Sequence, residues 1–587
     1  MIFQALCDYY QCKASDPGSG IAPEGFEKKE IPFVLVIDED GLLNAIEDTR
    51  EYEGKKKKTR SFIVPQQQEK RNMGIKPNLL WDNIEYALGA NPRQRDNVVA
   101  RHLCFKDKIR QELAGMVDTP AIKALLLFLE KQPIAQIESR AEYAEVWQEM
   151  QKSNASLTFR LHGSSDSTIC DTVHPYLMNK PPGRPDGYCL VTGKPAKIAR
   201  LHAPIKGVRN ATPSGAIMVS FNSEAFCSYG KEQNYNAPVG ASAAFAYTTA
   251  LNLLLDKESQ NKFCIGNVTV VFWAQMNKPK YNLEQDFPCF FTDITKGSSD
   301  QGTQAVRNLY QAVLPGNFSE EGPDWFYVLG LSPNAARIAI RFWKNGTVSD
   351  FATNIKQHFD DLEIVKGPKN HDYLNLNHLL QAIAPEHNMD KVSSALSCSI
   401  INSMLDGSPY PITLLQQCIR RIRAEQCVTR THAAILKACI NRHNRIHNFN
   451  AKEFAVSLDK SNQYTGYRLG RLFAVLEKIQ DEANPGTSAT IRERFYSTAS
   501  TSPMTVFPKM LKIKNYHLAK LDKPGRIINL ERVLGEIFDG IPEFPPHLTM
   551  DEQAHFAIGY YHQRQDFFES NTKKIANDNE LNKIKGL

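Results

Sequence analysis

At 587 residues, with 42% hydrophobic and 23% charged side chains, the chain has room for about three to four domains and the balance of a globular protein. No apolar run approaches the ~20 residues that a membrane helix needs, and the first residues carry no basic n-region or cleavage site, so a cytoplasmic location is expected. The formal net charge of +6 is too small to argue for nucleic acid by itself, and 12 cysteines spread singly from Cys7 to Cys439 predict reduced thiols rather than a zinc ribbon.

Phe3 to Cys12 has the period of a short amphipathic helix. Ile31 to Asp38 reads as a strand, Asp38–Gly41 as a turn and Leu42 to Asp48 as the returning strand of a hairpin. Lys55, Lys56, Lys57 and Lys58 are predicted to form an exposed loop before a strand over SFIVP. Gln66 to Lys76 is polar and irregular, and Asn78 is placed to cap a helix running to Leu88. A helix follows over Ala121–Glu130, then a strand over Val268–Trp273. Two more strands, Trp325–Leu331 and Ala336–Trp343, flank an SPN turn.

Beyond about Ser349 strand signals fade, and helical periods follow at Phe351–Ile364, Leu374–Ile383, Val392–Leu405, Ile412–Gln426 and Thr431–Arg445. After the polar stretch His447–Ser461 come Tyr464–Asp481, Thr490–Ser500, Val506–Leu521, Ile527–Phe538 and Glu552–Phe568, with a tail predicted to fray after Asn571. The pattern predicts an α+β chain. A mixed body with antiparallel hairpins spans 1–348, a helical basic region 349–455 and a helical bundle 456–587.

Charge is concentrated locally. Gln416 to His447 holds seven cations, including Arg420, Arg421 and Arg423, against the single acid Glu425, and Arg50–Arg60 holds six against two. Such clusters attract a phosphate backbone by releasing its counterions. Catalytic signatures are thin. Gly187–Pro195 resembles a phosphate loop, but it has one residue too many, and Pro195 stands where the magnesium-binding hydroxyl belongs. The His371-Asp372 dipeptide lacks further metal ligands at useful spacing, leaving a metal-dependent nuclease as one alternative reading and a purely structural assembly protein as another. His174 and His202 are solitary and read as structural. No cofactor is implied.

The stretch Ser220–Leu255 is the most informative. Its first half is a turn-rich loop crowded with hydrogen-bonding side chains, and its second half reads as a buried helix. No acid–base or thiol–base pair sits there, so it suggests binding rather than turnover. The blocks SFN, SYGKEQ, NAPVG and AFAYTTALNLLL resemble the large subunit of the type I-C CRISPR surveillance complex, Cascade. MIFQALCDYY, GIKPNLLWDNIEYALG, CLVTGKPAKIARLHAPIKGV, VLGLSPNAARIAIRFW and GYRLGRLFAVLEKIQ extend that resemblance in order to about Gln480, and it thins beyond.

The resemblance implies a non-catalytic subunit at the 5′ end of the guide RNA. Such a subunit reads the protospacer-adjacent motif on double-stranded DNA, promotes R-loop formation and helps recruit a separate helicase–nuclease. It further implies contacts with the displaced non-target strand and the other Cascade backbone subunits. A small subunit made from the chain's own C-terminal region by an internal start is implied too, although no Met lies between Met404 and Met504 to begin it. Base edges are read by Asn, Gln, Lys or Arg on a rigid support. The candidates are Asn72, Lys76 and Asn78 in one loop and Lys231, Gln233, Asn234 and Asn236 in the other. Lys55–Lys58, Arg71, Lys206, Arg209, Arg420, Arg421 and Arg423 suit phosphate.

Overall fold

Five consecutive apolar residues, Phe33–Ile37, form a strand buried on both faces in the computed structural model. The structure describes residues 1–53, 56–67, 74–179, 183–275, 281–293, 299–314, 324–367, 370–447, 451–486 and 490–585. The fold is α+β, and its contacts divide the chain into two units, Met1–Ile205 with Ile217–Leu253, and Lys206–Ala216 with Leu254–Leu587.

In the first unit Phe33–Ile37 lies inside a four-stranded sheet ordered Leu43–Asp48, Phe33–Ile37, Ser156–Leu161, Trp81–Asn83. The predicted hairpin is present. Asp38 Oδ1 accepts from the Leu42 N–H at 2.7 Å, and Gly41 turns at φ +73° where an added Cβ would meet Leu127 Cβ at 2.6 Å. Ser156–Leu161 runs parallel to the buried strand, so the chain must cross over, and helices Val98–Glu112, Pro120–Glu130 and Ala144–Ser153 lie in that connection. Phe105 and Phe128 pack on Phe159 at 6.5 and 6.2 Å. Helix Ala241–Leu254 packs on helix Ile2–Ala14, where Tyr247 stacks on Phe3 at 4.3 Å.

Two local expectations change. Asn78 does not cap a helix. Pairing with Ser156–Thr158 draws Trp81–Asn83 into the sheet, and the short helix Ile84–Ala87 is capped by Asn83, which accepts from the Tyr86 N–H at 3.3 Å. Lys55–Lys58 is not simply a loop, since Lys56–Thr59 is a strand paired antiparallel with Arg50–Glu53. Lys55 and the side chains of Lys56 and Lys57 lie outside the described residues.

The second unit opens with an antiparallel meander of Lys262–Ile265, Val268–Gln275, Trp325–Asn334 and Arg337–Thr347. The turn falls after the SPN residues rather than on them, with Asn334 paired to Arg337. On one face Tyr327 stacks on Trp273 and Trp343 at 5.3 and 5.6 Å, and on the other Phe272, Phe287 and Phe326 begin a core that continues to Tyr561. The helices expected after Ser349 are all present. Helices Thr465–Ala483 and Met550–Lys585 pack closely because glycines stand at the crossing. An added Cβ at Gly470 would lie 1.9 Å from the Phe556 carbonyl oxygen, and one at Gly559 2.1 Å from that of Tyr467. The second of these helices keeps its backbone conformation to Lys585, past Asn571 where the sequence predicts fraying.

Four histidines are held in the neutral state, three of them buried and His555 half-buried. Burial pushes His202, His555 and His562 down to about 4 and His358 well below its ordinary value. His358 Nδ1 lies 2.6 Å from the Tyr410 hydroxyl, and His562 Nδ1 2.9 Å from that of Tyr467. Because the unfolded chain takes up these protons near pH 6.5 and the folded chain does not, their stabilising contribution is complete above that pH and is lost as pH falls. Each is expected to withdraw on the order of 1 kcal/mol per pH unit below about 6. Urea unfolding at pH 7.5 and 5.5 checks this, and an unchanged midpoint would contradict it.

Candidate nucleic-acid interface

The seven cations between Gln416 and His447 divide into two populations. They sit on helices Ile412–Glu425 and Arg430–Ile446. Arg442 is buried and donates to Asp361 Oδ2 at 2.6 Å, with its guanidinium 4.3 Å from the Tyr410 ring centroid. Arg445 bridges Asp361 and Glu453, and buried Lys437 donates to the Asp361 carbonyl oxygen at 2.9 Å. Burial drives the Lys437 ammonium down, which Asp361 opposes. Arg430 donates to the carbonyl oxygens of His371 and Asp372, and Arg421 pairs with Glu425 one turn along its own helix.

Arg420 and Arg423 are different. Three residues apart, they share a helix face, are exposed, and have no acidic partner among the described residues. They line a groove of about 570 Å³ with Gln416, Ser497 and Gln553, beside the start of helix Met550–Lys585. Asp551 and Glu552 lie in that helix's first turn, so the groove is cationic on one wall only.

In the first unit the informative segment is irregular, and side chains hold it. The short hairpin Gly187–Tyr188 and Pro195–Ala196 abuts Pro238–Gly240, with Leu190 N–H donating to the Pro238 carbonyl at 2.9 Å and Ala199 N–H to that of Val239 at 2.9 Å. An added Cβ at Gly240 would lie 2.9 Å from Ala196 Cβ, so only glycine permits this approach. Asp186 accepts from the Ile198 N–H at 2.6 Å and from the Tyr235 hydroxyl at 3.2 Å. The would-be phosphate loop instead surrounds a thiol. Burial pushes Cys189 up, but the N–H groups of Gly240, Thr192 and Val191 and the Thr192 hydroxyl outweigh it and bring the thiol below its ordinary value.

Asn236 fastens the loop tip. Its Oδ1 accepts from the Ser228 N–H at 2.9 Å, and its Nδ2 donates to the carbonyls of Lys231 and Gln233 at 3.0 and 2.9 Å. A tight turn, Ser228-Tyr229-Gly230-Lys231, is closed by Lys231 N–H donating to the Ser228 carbonyl at 3.0 Å. Lys231 projects into solvent. Gln233 is occupied by Arg200, whose Nη1 donates to it at 3.0 Å. Asn234 is buried, 1% exposed, and turns inward toward the Val219 carbonyl. Of the four amide and ammonium groups proposed for this loop, Lys231 is thus the one presented outward, while Asn236, Gln233 and Asn234 shape the loop.

A family model described as CRISPR-associated protein (Cas_Csd1) matches residues 6–568. The chain belongs to the Cas_Csd1 family. No curated protein matches it. Membership supports a role as a CRISPR-associated, Cascade-type subunit.

In this Cas_Csd1 chain the other loop candidates are more dispersed. Arg71 and Asn72 lie outside the described residues, Lys76 is half-buried, and Asn78 is buried with its N–H donating to Asp82 Oδ2 at 2.8 Å. Lys58 is exposed on its strand. Lys206 and Arg209 are exposed in the second unit, where the Arg209 N–H donates to Thr269 Oγ1 at 2.9 Å. His371 stacks on His378 at 4.9 Å, and Lys366 pairs with Asp372, holding that carboxyl below its usual range. Among the described residues no group of three His, Cys, Asp or Glu side chains is arranged to hold a metal. If Asn236 is the loop's fastener, Asn236→Ala is expected to raise hydrogen–deuterium exchange at the Ser228 amide about tenfold or more while leaving the global melting temperature nearly unchanged.

Proposed function

We propose that this chain is the large, DNA-reading subunit of a type I-C Cascade. It recognises the adjacent motif on double-stranded target, starts R-loop formation beside the guide RNA, and leaves cleavage to a recruited helicase–nuclease. The observation that carries the reading is the fastened turn at Ser228–Lys231, which holds an outward ammonium on a support that does not depend on regular secondary structure. A backbone fixed before contact confines the ordering cost of binding to the lysine side chain itself, which favours discrimination between base edges. The Arg420–Arg423 groove supplies a second, sequence-independent surface suited to the displaced strand. The loop residues offer hydrogen bonds and charge but no nucleophile with a base, and Lys366 occupies the carboxylate that a His371–Asp372 nuclease would use.

Two measurements on the assembled complex test this. Lys231→Ala and Lys76→Ala are expected to reduce the preference for matched targets with the correct adjacent motif over an altered one. Each base-reading side chain should cost about 1–3 kcal/mol of that discrimination. Unchanged preference in both variants, and in Asn72→Ala, would refute motif reading by these loops. Separately, Arg420→Ala with Arg423→Ala is expected to flatten the salt dependence of single-strand binding by about 0.7 per arginine. Arg421→Ala, whose head is held by Glu425, should leave the slope unchanged.

A further inference from the structure

The tip of the fastened loop carries an aromatic ring that packs on none of the described residues. Tyr229 is 98% exposed, the highest value among the large hydrophobic side chains of the described residues. Its backbone is unusual as well. Tyr229 has φ +53° and Gly230 φ +68°, so both central residues of the turn are left-handed, the signature of a type I′ turn. Glycine, asparagine or aspartate suit the first of these positions, and a bulky side chain such as tyrosine is disfavoured there. The ring is therefore held out at a conformational cost, and the three hydrogen bonds of Asn236 maintain the turn that holds it.

We propose that Tyr229 is a stacking wedge, its ring resting on a nucleobase beside the adjacent motif as the first target base pair opens. The inference rests on the reading that this loop meets target DNA. Three features favour a base over a pocket on another protein. The exposed Lys231 ammonium is two residues away, so the same turn presents a cation to the polyanionic duplex beside the ring. Gly230 leaves open space around its Cα, with nothing within 4 Å of an added Cβ, so a sugar–phosphate chain can approach the turn closely. A tyrosine ring has few rotatable bonds and a flat face that accepts any base, which suits opening a sequence set by the guide rather than by the protein. Glu232 is the acid nearest in sequence and is also exposed, so the wedge is expected to act through its ring more than through net charge.

The test uses the assembled complex and a duplex target carrying 2-aminopurine at the first position beside the preferred motif. Binding of the wild-type complex is expected to raise the fluorescence as that base leaves its stack. Tyr229→Asn keeps a residue that tolerates the left-handed turn but removes the ring, and it should slow the fluorescence rise roughly 5- to 100-fold, the range that one base–aromatic stack spans. Tyr229→Trp should restore it. Motif preference, measured on the same complexes, separates the two levels of the argument. A wild-type preference retained alongside wild-type opening in Tyr229→Asn would overturn the wedge alone. Absence of motif preference in the wild type would overturn the underlying reading and the wedge with it. Loss of a protein subunit from the Tyr229→Asn complex in native mass spectrometry would assign the ring to a protein pocket and likewise overturn the wedge.

Discussion

An irregular segment keeps one shape only when its own amides and carbonyls find partners, and the function proposed here depends on that constraint being met between Gly183 and Gly240. No long helix or strand is available to do it. The partners are instead a few polar side chains and one shared backbone edge. Asp186 gathers Ile198 and Tyr235, Asn236 gathers Ser228, Lys231 and Gln233, and Pro238–Gly240 lies against the Gly187–Ala196 hairpin. The N–H groups of Gly240, Thr192 and Val191 also turn toward the Cys189 sulfur. The loop is rich in polar residues chiefly because its backbone needs them, and only the remainder is free to meet a partner.

The same division governs the basic helices. Local charge attracts phosphate only where it stays in water. Buried cations instead pay a desolvation penalty that a well-placed carboxylate must offset, and buried Asp361 does this for Arg442 while also pairing with the more exposed Arg445. That network joins helix Val348–Leu362 to helix Arg430–Ile446 and is part of the core. The strongly basic stretch is thus mostly a structural device with a small cationic face on one side.

Much of the helical half was legible from the sequence, because helices such as Leu376–Ile383, Ile412–Glu425 and Thr465–Ala483 carry strong apolar periods that fix their ends to within a residue or two. The failures are non-local. Nothing near Asn78 announces that Trp81–Asn83 is claimed by a strand some 75 residues away, which moves the cap to Asn83. The strand Lys56–Thr59 lacks apolar alternation, although the acids Glu51 and Glu53 preceding a lysine run were a usable hint. At the candidate interface, the pairing of Arg421 with Glu425 follows from i,i+4 spacing and was readable. The inward turn of Asn234 and the left-handed backbone at Tyr229 were not, since both depend on which neighbours fold against the loop.

The glycine crossing of helices Thr465–Ala483 and Met550–Lys585 sets a limit on variation. At Gly466, Gly470 and Gly559 even a methyl group would collide with a carbonyl of the facing helix. A saturation library across these two helices should therefore fall silent at those three sites whatever chemistry is tried. A sequence drifting elsewhere in the bundle would keep this triplet as its most durable mark of common descent.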